Sequence, residues 1–172
     1  MTPEFSRTFR LDELGGAPRA VSIAAEEGER AALATRFGLI GIERLEANAE
    51  LVRDGDVVTA AGTLAADVTQ ACVASGDPVP EKIAEDFALR FVPAGRADES
   101  AEEIELDEGD LDEIDYAGGS IDLGEAVAQS MALALNPFPR APNADAKLRE
   151  AGVLGEEDAG PFAALKALKD KL

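Results

Sequence analysis

Apolar and polar residues alternate along three long stretches of the chain, and each stretch predicts a half-buried β-strand. The stretches cover residues 39–52, 57–72 and 79–93. Short turns separate them, Arg53-Asp54-Gly55-Asp56 and Ser75-Gly76-Asp77-Pro78, and Asp-Gly is a strong hairpin signal. The predicted inward faces carry Leu45, Ala47, Ala49 and Leu51, then Leu64, Ala66, Val68, Gln70 and Cys72, then Phe87, Leu89 and Phe91. Three strands joined in this way predict an antiparallel meander.

Two shorter segments near the start of the chain extend the predicted sheet. Residues 5–11 alternate, with Phe5, Phe9 and Leu11 on one face, and residues 19–23 predict a second short strand. The sheet would then have about five strands, enough for a strongly curved sheet or a small barrel. Gly62 lies inside the second long strand, where it predicts a bulge or a sharp bend.

The clearest helical pattern follows Gly118-Gly119. Asp122 and Glu125 match the pattern of a helix N-terminus, and Asn136-Pro137 predicts the end of the helix. The face toward the sheet is expected to hold Leu123, Val127, Met131 and Ala134, widened by Ala126, Ser130 and Leu133.

Three further segments have helical patterns. Residues 24–37 predict a helix with Ser22 as candidate N-cap and Gly38 as the glycine that ends it. Residues 145–150 predict a short turn of helix, and residues 161–172 predict a terminal helix. Together the elements predict an α+β protein: a curved antiparallel meander sheet, or small partly open barrel, of about five strands covered by two or three helices. A length of 172 residues corresponds to about one domain, so we expect residues 1–172 to form a single domain.

The charge of the chain is strongly negative. Its 35 acidic and 16 basic side chains give a formal net charge of −19. Eleven acids and no Lys or Arg lie between residues 98 and 115: Asp98, Glu99, Glu102, Glu103, Glu105, Asp107, Glu108, Asp110, Asp112, Glu113 and Asp115. Dense carboxylates with few apolar residues predict a solvated, flexible loop at about residues 95–117. We interpret these eleven acids as candidate partner-binding residues.

The residue types present exclude several chemistries. The chain has one Cys and no His, which excludes an internal disulfide, Cys-rich or His-ligated metal sites and His-based catalytic triads. A carboxylate-only metal site stays open in principle, although the EF-hand pattern is absent. The sequence therefore predicts no cofactor and no enzymatic activity. Cys72 is expected to be a small buried apolar residue, the alternative being a reactive thiol with a cation nearby.

The start of the chain, MTPEFSRTFRLDEL, has acids and no apolar run, which differs from a signal peptide. No stretch reaches the ~18 apolar residues of a membrane span. A cytoplasmic protein that does not bind membranes is the expectation, and the oligomeric state stays open.

Three stretches of the sequence resemble the YceD-like family, the large ribosomal RNA subunit accumulation proteins of bacteria and plastids. They are GTLAADVTQACVASGDPV at Gly62–Val79, GGSIDLGEAVAQSMALALNPFPR at Gly118–Arg140 and PFAALKALK at Pro161–Lys169. The positions that match the family motif are Gln70, Cys72, Asp122, Leu123, Glu125, Pro137 and Pro139. The resemblance covers roughly residues 60 to 170, and more loosely the whole chain.

The chain departs from the family pattern at its cysteines. Relatives have a Cys-x-x-Cys in the first stretch, and many have further cysteines after the second, which implies a metal cluster in those relatives. In this chain Cys72 matches the first position, Ser75 stands at the second, and residues 137–151 contain no Cys or His. The departure puts a metal site in this chain in doubt.

The resemblance implies a role in the accumulation of 23S ribosomal RNA and in assembly of the large ribosomal subunit, and its motifs imply no enzymatic activity. Two routes to that role are open. In the first route, the acidic surface binds a basic ribosomal protein or assembly factor, and any effect on ribosomal RNA is indirect. In the second route, the chain binds RNA directly. The second route is harder to support at a charge of −19 without a basic cluster. A carboxylate-based enzyme is the remote third alternative.

Overall fold

The computed structural model describes residues 3–95 and 111–153 of the chain. The strands in these residues are β1 (Thr8–Arg10), β2 (Arg19–Ala24), β3 (Gly41–Asp54), β4 (Val57–Ala71), β5 (Pro78–Pro93), β6 (Asp112–Tyr116) and β7 (Ser120–Asp122). The helices are α1 (Glu27–Phe37), α2 (Leu123–Ala134) and α3 (Ala144–Glu150), with a single 3-10 turn at Leu11–Glu13. The predicted helix over residues 161–172 lies outside the described residues.

Five strands form one open sheet in the order β2-β3-β4-β5-β6. Strand β3 is antiparallel to both β2 and β4. Asp54 pairs with Val57 across the β3–β4 hairpin, and Gly55 adopts a φ of 62°, a conformation that glycine reaches without steric cost. The α+β class, the three long strands and the Asp-Gly turn are therefore confirmed.

One edge of the sheet differs from the prediction. Strand β6 pairs with β5 in parallel, from Leu89 with Asp112 to Pro93 with Tyr116, so the expected purely antiparallel sheet is wrong here. Residues 112–116 thus form a strand at the end of the expected loop. The Tyr116 ring is buried, and its hydroxyl donates to the backbone oxygen of Asp56 at 2.6 Å, which anchors the strand despite its acids. The predicted flexibility of residues 96–110 falls outside the described residues.

The first strand belongs to a separate two-stranded sheet. Strand β1 pairs with β7, with Phe9 opposite Ile121, and it is shorter than the predicted strand over residues 5–11. The fifth strand of the main sheet is therefore β6 rather than β1.

Gly62 causes no bulge. It pairs in register with Ala49, and the register shift between β3 and β4 lies between Ile42 and Arg44 instead. A Cβ at Gly62 would lie 2.0 Å from the backbone oxygen of Asn48, so glycine is needed because the neighbouring backbone approaches closely.

Helix α1 begins three residues later than predicted, at Glu27. Ser22 lies in β2, where its hydroxyl donates to Asn48 Oδ1 at 2.6 Å, so it is not the N-cap. The N-cap is Glu26, whose N–H donates to the Glu29 carboxylate at 2.7 Å. The predicted end is confirmed, because Gly38 follows the helix with a φ of 67°.

Helix α2 confirms the predicted apolar stripe except at one position. Leu123, Val127 and Met131 are fully buried, whereas the Leu133 side chain is 84% exposed. At about 100° per residue, Leu133 and Met131 are separated by roughly 160° around the helix, so both cannot face the core. The expectation that Leu133 widens the buried stripe is wrong.

The described residues divide into two compact units. The first contains residues 3–69, 80–95 and 111–135, and the second contains residues 70–79 and 136–153. The core of the first is apolar, and its largest fully buried side chains are Phe5, Phe91, Leu33, Leu45, Leu51, Leu64, Ile121, Leu123, Met131, Val58, Val68 and Val127. The second has a small cluster around Cys72, Ala141 and Ala144. That residues 1–172 form one domain stays a prediction.

Candidate partner-binding surface and motif residues

Three of the eleven candidate partner-binding acids lie in the described residues. Asp112, Glu113 and Asp115 are exposed on β6, and the Glu113 carboxylate accepts a hydrogen bond from Arg90 at 3.0 Å. The other eight, Asp98, Glu99, Glu102, Glu103, Glu105, Asp107, Glu108 and Asp110, lie outside the described residues. The structure thus places the end of the acidic run on the edge strand of the main sheet.

Asp122 ties the start of α2 to the N-terminal segment. Its Oδ1 accepts from the N–H of Arg7 at 2.8 Å and of Glu125 at 3.2 Å, while its Oδ2 accepts from the Ser6 hydroxyl at 2.6 Å. The N–H of the next residue, Leu123, donates to the backbone oxygen of Arg7 at 3.0 Å. These motif positions therefore serve a structural purpose, satisfying backbone groups at a helix N-terminus.

Gly124, which follows in the motif, was not singled out by sequence reasoning. A Cβ there would lie 2.7 Å from the Phe5 oxygen and 2.8 Å from the Arg7 nitrogen. The backbone of the N-terminal segment therefore passes directly over the first turn of α2. The sequence feature that could have identified this contact is a glycine in the first turn of a helix, a position that helix propensity alone disfavours.

Two arginines join the N-terminal part of the chain to the helices by ion pairs. Arg36 donates to Glu125 at 2.8 Å and to Glu4 at 2.8 Å. Arg7 holds both carboxylate oxygens of Glu29, at 2.7 and 2.8 Å. The hydrogen bond from Arg36 holds the pKa of Glu125 below its usual value, and that from Arg7 does the same for Glu29. We call Arg7, Glu29, Arg36, Asp122 and Glu125 the paired cluster.

The remaining motif positions come together in the second unit. The Gln70 side-chain amide donates to the backbone oxygen of Asn136 at 3.0 Å. The Val73 N–H donates to the backbone oxygen of Pro139, a buried residue, at 2.9 Å. Pro137 is exposed. The motif therefore connects the turn after β4 with the irregular segment after α2.

Cys72 lies at the centre of that connection, with 3% of its surface exposed. Its backbone N–H donates to the backbone oxygen of Asp77 at 2.7 Å, and its Sγ accepts from the Ala141 N–H at 3.3 Å. The Ala141 hydrogen bond, with the Ser75 hydroxyl, lowers the pKa of the Cys72 thiol to about 7. These donors favour the thiolate form of Cys72, but the sulfur is buried, so the residue fits a structural role better than that of an accessible nucleophile.

The second unit does not fit a thiolate metal site. A structural zinc site needs four Cys or His ligands, and this unit brings one thiol beside the Ser75 hydroxyl, which donates to Asp77 at 2.9 Å. Among the residues the structure describes, no group of three or more His, Cys, Asp or Glu is placed to hold a metal. Lys147 instead joins the turn to α3 by an ion pair with Asp77 at 2.6 Å. No described helix is both long and apolar enough to cross a membrane.

Most cations in the described residues are already paired. Ten ion pairs involve eight cations, since Arg36 and Arg44 each make two. Two others, Arg30 and Arg53, donate to backbone oxygens. The surface of the described residues therefore has more carboxylates than cations to pair with them.

These features define a small acidic α+β protein whose best-formed polar clusters, in the described part of the chain, hold elements together rather than surround a reaction centre. The chain belongs to the family described as "Large ribosomal RNA subunit accumulation protein YceD", whose model matches residues 60–169. This match confirms the resemblance over residues 60–169. No curated protein and no solved structure matches the chain.

Proposed function

We propose that this chain is a non-enzymatic factor in 23S ribosomal RNA accumulation and large-subunit assembly, and that its acidic surface binds a basic ribosomal protein or assembly factor. The family match over residues 60–169 supports the link to the large subunit. The family description names no enzymatic activity. Such a role places the protein in the cytoplasm, where bacterial ribosomes are assembled.

The observation that carries the choice of partner is the pairing of the cations. A protein binds the phosphate backbone through clustered Lys and Arg, which must be free to replace counterions. Eight cations of the described residues are in ion pairs with carboxylates, while the chain keeps a net charge of −19. Contact with a basic protein needs no rearrangement of those pairs, whereas contact with phosphates would compete with them.

Depletion of the protein in its native host tests the role in ribosome assembly. We expect the ratio of 23S to 16S ribosomal RNA to fall and large-subunit precursors to accumulate, with a wild-type copy restoring both. An unchanged ratio and an unchanged ribosome profile after full depletion would contradict the proposed role.

Capture of partners on the tagged protein tests the mode of action. At low salt, with ribonuclease present, we expect basic large-subunit proteins or assembly factors to be retained, and to be released at physiological salt because exposed charges are screened beyond about 8–10 Å. Retention of RNA alone, or loss of every protein after ribonuclease, would favour direct RNA binding instead.

Neutralising acids between residues 98 and 115 tests which charges promote association with the partner. The change Glu102→Gln, Glu103→Gln, Glu105→Gln and Asp107→Asn should slow association with the captured partner more than it speeds dissociation, as for charges that steer encounter. The matched control neutralises four acids elsewhere, Glu27, Glu50, Glu150 and Asp56, all exposed and without an ion pair among the described residues. Equal slowing in both variants would show a general effect of net charge only.

A further inference from the structure

A groove of about 360 Å³ lies between the carboxyl-terminal half of α2 and strands β5 and β6. Phe87 and Leu89 are buried and form part of its floor. Its rim includes three exposed acids, Glu85, Asp86 and Asp112. We call this the α2–β5 groove and these three residues the groove acids.

Leu133 borders the same groove, with 84% of its surface exposed. A single exposed apolar residue needs no explanation on an ordinary surface. Here the side chain stands next to an apolar floor, so that a group entering the groove would contact both. The groove therefore presents a solvent-exposed leucine next to a buried apolar floor.

The charged residues that line the groove, in the described part of the chain, are all acidic. The residues that line it include the groove acids and no Lys or Arg, and none of the three acids is in an ion pair within the described residues. The cavity beside exposed Ile40 is different, because Arg30 and Glu27 both line it. Charge complementarity therefore selects the α2–β5 groove for a cationic occupant.

We propose that the α2–β5 groove binds a short basic amphipathic segment of a protein partner. An apolar side chain of the segment enters beside Leu133 and over Phe87, while its Lys or Arg residues meet the groove acids. A helix that places its apolar face in a groove is a common mode of peptide recognition. The proposal rests on the proposed function for the partner's identity, while the site and the chemistry of its occupant follow from the groove itself.

The probe for this proposal is a synthetic peptide of leucine and lysine, with the leucines on one helical face. Its control is a peptide of the same composition in which no face collects the leucines. Affinity is measured by fluorescence anisotropy on the full chain, and methyl NMR shifts report whether Leu133 is contacted. We expect the amphipathic peptide to bind more tightly than its control and to shift the Leu133 methyl signals.

Two groove variants and two matched controls locate the binding. Leu133→Ser should weaken peptide affinity about tenfold, the effect of losing most of one buried leucine contact. Neutralising the groove acids (Glu85→Gln, Asp86→Asn, Asp112→Asn) should weaken it about fivefold at low salt and less at high salt. The controls are Phe138→Ser, at a side chain 73% exposed, and the triple change Glu50→Gln, Asp56→Asn and Glu150→Gln. Both should stay within about twofold.

The outcomes separate this proposal from the proposed function. Equal affinity for both peptides, or equal losses in groove and control variants, would overturn the groove as a docking site even if ribosomal proteins are captured. Peptide binding that depends on the groove, without any captured ribosomal protein, would support the groove as a docking site and contradict the partner given under the proposed function. An RNA oligonucleotide that shifts the Leu133 methyls, or a concentration-dependent dimer that Leu133→Ser abolishes, would show a different occupant and overturn the proposal.

Discussion

Carboxylates serve two different purposes in the first compact unit. In the paired cluster, Glu29 and Glu125 each accept hydrogen bonds from an arginine, and Asp122 accepts from two backbone N–H groups. The groove acids have no cation partner within the described residues. Side chains of the same type thus join elements in one region and remain available in the other. Net charge alone does not distinguish the two sets of carboxylates, because the contribution of each to stability depends on the group it is paired with.

The largest expected effect is at the backbone contact beneath the paired cluster. Gly124→Ala places a Cβ against the Phe5 and Arg7 backbone, and we expect it to lower the free energy of unfolding by about 2–3 kcal/mol. Gly28→Ala is the matched control, at the same position of α1 with nothing within 4 Å of its Cβ, and should raise that free energy by about 0.5 kcal/mol. Urea denaturation measures both, and similar values for the two would contradict the close approach at Gly124.

Next is the loss of a cation from the paired cluster. Arg36→Met leaves Glu4 and Glu125 without their shared partner, and we expect a loss of about 1 kcal/mol in the free energy of unfolding. Lys82→Met is a control cation, since Lys82 is exposed and makes no ion pair among the described residues. Denaturation curves that coincide for the wild type and Arg36→Met would show that the pairs contribute nothing.

The pH dependence of stability sharpens the same point. The pKa values of Glu29 and Glu125 are lowered in the folded state, so their contribution is fully present above the unfolded Glu value of about 4.3 and is lost as pH falls through the lower folded values. Arg36→Met removes only the Glu125 part of this contribution, since Glu29 pairs with Arg7, and the stability gap between the wild type and this variant should shrink as pH drops below about 4.3. Urea midpoints between pH 3 and 6 measure this, and a gap that widens toward low pH would reverse the sign.

The smallest effect is expected in the groove. Neutralising Glu85, Asp86 and Asp112 removes like charges without breaking an ion pair, and should raise the free energy of unfolding by up to about 0.5 kcal/mol at low salt. The gain should disappear at about 1 M salt, where the Debye length is ~3 Å. A clear loss of stability would mean that the groove acids make stabilising contacts, as the carboxylates of the paired cluster do.

Local patterns were sufficient to predict the long strands and the ends of α2. Alternation in residues 79–93 identified Phe87, Leu89 and Phe91 as buried, and Asp122 was correctly placed at the N-terminus of α2. These features depend on residues close in sequence. The position of Leu133 was missed because the widened stripe spanned about 160° of the helix, wider than the apolar stripe of roughly 100° that a helix typically buries.

Long-range pairing was beyond the sequence pattern. Strand β6 carries Asp112, Glu113 and Asp115, and its density of acids favoured a loop over a strand. Its formation depends on a parallel partner and on the burial of Tyr116, neither of which is visible in residues 112–116 alone. The groove was likewise unpredictable, because it needs Leu133 from α2 and the groove acids from two strands in one place.

The N-terminal segment has a consequence for folding during synthesis. Ser6 and Phe5 are held by partners far along the chain, with the Ser6 hydroxyl bonded to Asp122, 116 positions later. At a synthesis rate of about 5–20 residues per second, these partners emerge roughly 6–23 s after Ser6. The β3–β4 hairpin can form well before that time, since its strands are adjacent. Phe5 is fully buried in the finished fold, with its backbone against Gly124, so it reaches its final environment only after that part of the chain has been synthesised.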